Sequence, residues 1–222
     1  ADLMSRFNDA RRADLQRISA QQLDNQSYGG DESDGSAVRY ASKRWMTWAG
    51  GGGGYYGGAH PLWAWTVVTY DLSTGKQVDA TDLFRSALPQ GADNKKDVVV
   101  DMKAAPNTLE ALVLRRAHAV AAEPNRTASG ASSVDADCFE DWLGRLADCE
   151  VDDKDRPSAC TLRTQEWHGR VEVPGMVPML TDTGLAIVSN DTSEAARACR
   201  GVMITIPWGE ARRVLAPGTR LP

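Results

Sequence analysis

Leu62-Trp63-Ala64-Trp65-Thr66-Val67-Val68-Thr69-Tyr70-Asp71-Leu72, followed at once by Ser73-Thr74-Gly75-Lys76, decides the fold class of this 222-residue chain. Its first part is rich in aromatic and β-branched side chains, which suit a pleated surface. Period-two alternation puts Trp63, Trp65, Val67 and Thr69 on one face of a strand. Asp71 to Lys76 then reads as a tight turn, with Gly75 placed for a positive φ that other residues resist. Residues 77–80 predict the return strand, and Thr81-Asp82-Leu83-Phe84 a short helical turn. A connection this short joins antiparallel strands, because parallel ones need a long crossover.

Upstream lies Gly50 to Gly54, an unbroken glycine run, followed by Tyr55-Tyr56-Gly57-Gly58-Ala59-His60-Pro61. A phosphate loop would need Lys-Ser/Thr after its glycines, and a dinucleotide fingerprint a completed strand-loop-helix pattern; neither is present. The run is expected to be a flexible hairpin or a crossing where backbones approach closely. Before it, residues 37–48 predict one strand, 25–36 a polar loop, and 2–24 an amphipathic helix carried by Leu3, Phe7, Ala10, Leu15 and Ile18.

Downstream, residues 97–105 are ambiguous, since Val98-Val99-Val100 favours strand and residues 101–105 favour helix. Residues 108–122 predict a helix with Thr108 as N-cap and Leu109, Leu112, Val113 and Ala117 as its buried stripe. After a small-residue loop over 124–133, residues 135–148 predict a second helix with Phe139, Trp142, Leu143 and Leu146 on one face. The last third returns to strands: 164–173, a strand-turn-strand over 179–188, an apolar strand over 201–207, and a short helix over 208–215.

Charge and cysteines narrow the function classes. The net charge is −5, and Arg12, Arg17, Arg39 and Arg44 are scattered among acids. No basic stripe points to nucleic acid; a mildly acidic surface suits a basic protein partner. No apolar run approaches the roughly 20 residues of a membrane helix. The chain opens on Ala1-Asp2-Leu3-Met4 without a basic and apolar leader, which leaves a cytosolic protein or one whose leader has been removed. Cys138, Cys149, Cys160 and Cys199 make an even set in the second half, the pattern of two disulfides in an oxidising compartment. Cys138 and Cys149 on one helix would stand roughly 16 Å apart, too far to bond. Each is left to pair with Cys160 or Cys199; Cys149–Cys160 with Cys138–Cys199 is the preferred arrangement, and free buried thiols are the alternative. A zinc site is poorly supported, because no Cys-x-x-Cys pair is present and only His168 lies among these cysteines. No metal or other cofactor is expected.

Three blocks in fixed order carry a family resemblance. They are Tyr56-Gly57-Gly58-Ala59-His60-Pro61; Thr69-Tyr70-Asp71-Leu72-Ser73-Thr74-Gly75-Lys76 with Asp82-Leu83-Phe84; and Leu180-Thr181-Asp182-Thr183-Gly184-Leu185 with the strand Val202 to Pro207 and a closing helix. Together they resemble an extracytoplasmic domain found at the C-terminus of a lysozyme-sensing anti-sigma factor and beside the catalytic domain of some peptidoglycan deacetylases. About half the chain is covered, in blocks. The resemblance implies one α+β domain over residues 1–222, with a mostly antiparallel sheet and helices packed on one face. Residues of about 94–167, outside the blocks, read as a cysteine-containing helical insertion. It also implies a periplasmic or extracellular place, with a lipid anchor or other membrane attachment upstream of Ala1, and no catalysis by this domain.

The candidate partner-binding residues are Trp48, Tyr55, Tyr56, His60 and Trp63, aromatic side chains around the glycine run that can form a protein hot spot or a sugar platform. Trp63 and Trp65 are equally suited to a core. The expected function is binding, as inhibitor, immunity protein or sensor, of a lysozyme-like or other peptidoglycan-degrading enzyme. The alternatives are a peptidoglycan- or carbohydrate-binding module, and a hydrolase using His60. Asp71, Asp82 and Asp182 each stand beside a turn or helix start, where a carboxylate caps backbone amides more readily than it joins a catalytic pair.

Overall fold

A computed structural model describes residues 5, 33–54, 62–89, 97–123, 132, 134, 136–153, 156–167, 170–189 and 201–221. The protein is a mixed α+β fold with several antiparallel sheets and a few helices. The expected helix over 2–24 lies outside the described residues, Ser5 apart. Among the described residues no helix is long and apolar enough to cross a membrane.

A four-stranded meander comes first: β1 (Ser33–Ala41), β2 (Trp45–Gly54), β3 (Leu62–Asp71) and β4 (Lys76–Val78), in that spatial order. The strand expected over 37–48 is in fact two strands. Ser42 makes the break: its backbone N–H donates to the Trp45 carbonyl at 2.8 Å, and its Oγ accepts the Trp45 N–H at 2.9 Å. A hydroxyl that takes a local backbone bond competes with the strand ladder and turns the chain. The glycine run, expected as a flexible hairpin or a crossing of closely approaching backbones, is strand. Gly50 to Gly54 continue β2, with Gly50 to Gly53 facing Ser36 to Ser33 of β1 on one side and all five facing Thr66 to Leu62 of β3 on the other. Glycine weakens a strand by its backbone freedom; pairing on both sides gives these peptide groups the hydrogen-bond partners that hold them extended.

Asp71 ends β3 as expected from the sequence. Its carbonyl accepts the N–H of Thr74 at 3.1 Å and of Gly75 at 2.8 Å, and Gly75 takes φ 71°. The return strand β4 and a 3-10 turn, Ala80–Leu83, come next.

Further along come β5 (Val98–Asp101), α1 (Leu109–Ala121), α2 (Ala136–Leu146), β6 (Ala147–Val151), β7 (Pro157–Leu162), and the hairpin of β8 (Gln165–Trp167) and β9 (Arg170–Glu172). Then come β10 (Val177–Leu180), β11 (Gly184–Ser189), β12 (Gly201–Pro207) and α3 (Trp208–Ala211). The sheets run β5-β7-β6 and β10-β11-β12, with β5–β7, β6–β7 and β11–β12 antiparallel. The segment expected to be a helical insertion therefore holds a sheet as well as two helices. The second helix stops at Leu146, because Ala147 already pairs with Leu162 and Arg163 donates its N–H to the Leu146 carbonyl at 3.2 Å. Cys149 accordingly sits on a strand rather than on the helix.

The described residues form two compact units. One takes those up to 80 together with 179–182; the other takes 81–178, 183–189 and 201–221. In the first, Met46, Val68 and Tyr70 are buried together, with Trp48 and Leu72 packed against them. Register explains the grouping: Met46 faces Tyr70 and Trp48 faces Val68, so all four lie on one side of the β2–β3 pair. Thr47 and Thr69 face each other on the other side, fully buried, and join hydroxyls at 2.8 Å. In the second unit, the expected stripe Leu109, Leu112, Val113 and Ala117 is buried along α1, with Leu114. Phe139, Leu146, Leu162, Leu185, Ile187, Met203, Ile204 and Ile206 are also solvent-free.

Candidate functional site

Of the residues singled out for partner binding, Tyr55, Tyr56 and His60 lie outside the described residues. Trp63 is placed by its backbone, opposite Gly53; Trp65 stands opposite Gly51. Trp48 is half-buried on the Met46–Val68–Tyr70 cluster, so part of its ring surface already belongs to the core.

The turn between β1 and β2 carries a polar-aromatic arrangement. The Arg44 guanidinium lies over the ring of buried Trp45, 4.6 Å from its centroid. It reaches Asp71 Oδ2 at 3.2 Å while its side chain stays 48% exposed. Burial raises the Asp71 pKa, but bonds donated by the Ser73 hydroxyl and backbone, together with Arg44, outweigh it and hold the carboxyl below its ordinary 3.8. Asp71 is thus an ionised anchor of the turn, with Oδ1 accepting the Ser73 N–H at 2.9 Å and the Ser73 hydroxyl at 2.5 Å. It is not free to act as an acid. Asp82 pairs with Arg170 at 2.5 Å. Glu110, buried on α1, accepts from the Ser86 hydroxyl at 2.5 Å and the Ala87 N–H at 2.8 Å. Each of these carboxylates is explained by the structure it stabilises.

The second unit holds a cluster that sequence reasoning missed. Cys149 on β6 and Cys160 on β7 are directly opposed in the antiparallel register and are disulfide-bonded, with Cα atoms 4.1 Å apart. Cys138 is disulfide-bonded too, while Cys199, its expected partner, lies outside the described residues. Beside the Cys149–Cys160 bond stands His118 of α1. A ring nitrogen of His118 and the two sulfurs lie within 4.8 Å of one another. The His118 Nε2 is buried with no hydrogen-bond partner, and burial pushes the imidazole pKa below 6.5. The ring is neutral at pH 7 and keeps a lone pair. The legible signal was helical spacing: His118 follows Leu114 by four residues and Ala111 by seven, which puts it beside the buried stripe.

No protein-family model matches this chain, and no curated protein matches it.

Proposed function

We propose that this chain is an extracytoplasmic binding protein that recognises a lysozyme-like or other peptidoglycan-degrading enzyme, acting as inhibitor, immunity protein or sensor. The observation that carries the reading is the Cys149–Cys160 disulfide, with no free cysteine among the described residues. Bonds of this kind persist in oxidising compartments and are rare in the cytosol. The partner class comes from the resemblance of the three sequence blocks. Two of them run into or along the β3–β4 hairpin, and the third spans the turn before β11 and the apolar strand β12. In this reading helices cover one face of the family-like sheet, residues 94–167 are an elaboration of it, and the contact surface includes Trp48, Tyr55, Tyr56, His60 and Trp63.

The test mixes the oxidised protein with purified muramidases and amidases, measuring complex formation and lysis of cell-wall suspensions. A stable complex with at least one of them, with lysis reduced or unchanged, is the expected outcome. Absence of association with every muramidase and amidase tried sinks the proposal.

One observation favours a second reading, a peptidoglycan-binding module. Gly51 and Gly53 face Trp65 and Trp63 in register, so β2 contributes no side chain beside those positions, and aromatic residues suit sugars. Retention on purified sacculi, lost in Trp63→Ala, supports this reading; free passage through them removes it.

A further inference from the structure

We propose that His118, Cys149 and Cys160 form a zinc site when the disulfide is reduced, so that the two sulfurs either bond each other or hold a metal. The reading is independent of any cell-wall partner. It rests on three elements of one compact unit, α1, β6 and β7, that bring an imidazole and two sulfurs together.

Donor chemistry selects the ion. Two thiolates and an imidazole are borderline-soft ligands, the set zinc takes in preference to the oxygen-seeking calcium or magnesium. Tetrahedral zinc with sulfur at about 2.3 Å and nitrogen at about 2.0 Å spaces its donors about 3.5 to 4 Å apart. The three donor atoms already lie within 4.8 Å of one another. The donors therefore already stand near the spacing that zinc asks for once the S–S bond is opened. The fourth position falls to water, as in zinc sites that keep an open place.

The surroundings suit such a ligand. Cys160 is buried, and His118 and Cys149 are half-buried. A buried nitrogen without a partner is less stable than one that is satisfied. His118 Nε2 is such an atom, and one ring nitrogen of His118 is the donor that lies beside the sulfurs.

The chemistry balances in two steps. A dithiol reductant exchanges with the Cys149–Cys160 bond: its two thiols become a disulfide, and their two hydrogens and two electrons leave Cys149 and Cys160 as thiols. Zinc(II) then displaces the two thiol protons to solvent and takes the His118 lone pair, with no further electron transfer.

The experiment compares oxidised and phosphine-reduced full chain after incubation with zinc and gel filtration, reading retained metal by elemental analysis and fold by circular dichroism. Stoichiometric zinc on the reduced chain and none on the oxidised chain is expected. His118→Gln and Cys149→Ser should lose the metal while Cys138→Ser keeps it. Cobalt(II) in place of zinc gives a readout that needs no variant: thiolate charge-transfer absorption should grow on reduction and vanish on reoxidation. Any of four results overturns the proposal: no metal on the folded reduced chain, equal retention by the oxidised chain, undiminished retention in folded His118→Gln, or collapse of the fold on reduction.

Discussion

At the residue scale, two positions show how far a single side chain can be argued. Gly184 opens β11 opposite Pro207. A Cβ there would overlap the Ile206 carbonyl oxygen and lie 3.1 Å from the Pro207 Cα. The obstacle is backbone, which cannot rotate away, so Gly184→Ala should destabilise the protein by about 3 kcal/mol. Chemical denaturation checks it: the midpoint should fall clearly, and an unchanged midpoint would mean that the strands separate more easily than their register suggests. His118 sets a pH dependence. Its folded pKa lies below the 6.5 of the free ring, so between those two values the unfolded chain binds more protons than the folded one. Stability is then full above 6.5 and is lost as pH falls towards the folded value. Thermal unfolding across this window should show the loss in the wild type and a flatter profile in His118→Gln. The sequence made Asp71 and Gly75 legible because a turn is a local object: its hydrogen bonds close within a few residues. It did not reveal the buried Glu110, whose partners Ser86 and Ala87 are brought to it only by the tertiary fold.

At the element scale, the same distinction separates the readable from the hidden. Helix α1 and strand β3 carry a periodicity over their own length, β11 and β12 are apolar runs, and the expected segments overlay all four closely. Two elements went astray for physical reasons. The glycine run has no side-chain pattern to read, and its strand state comes from the ladders on either side of it. The sequence predicts the second helix to 148, whereas pairing of Ala147 with β7 ends it at Leu146. That boundary matters for the disulfide. With Cys149 on β6, the Cys149–Cys160 bond closes a short loop with sequence separation 11. Loop-closure entropy for so short a ring stabilises by about 2–3 kcal/mol. The double variant Cys149→Ala with Cys160→Ala should lose about that much while the sheet β5-β7-β6 persists by circular dichroism. A loss near zero would show that the unfolded chain is already compact across this hairpin.

At the scale of the whole molecule, charge is the property that bears most directly on a partner. The chain carries 30 acidic against 25 basic side chains, a net charge of −5. In the described first unit Arg44 is engaged close to home, held over Trp45 and against Asp71. An acidic protein meeting a cationic wall hydrolase is drawn in by opposite fields, which raise the association rate more than they slow dissociation. Exposed charges are screened beyond about 8 Å at physiological ionic strength. If the proposed partner is cationic, raising salt should slow association several-fold while leaving dissociation almost unchanged, because the apolar and aromatic contacts that hold the complex do not feel the screening. Surface-immobilised partner and stopped-flow mixing both separate the two rates. A salt effect confined to dissociation would place the charges inside the contact itself, and an association rate indifferent to salt would assign recognition to uncharged contacts alone.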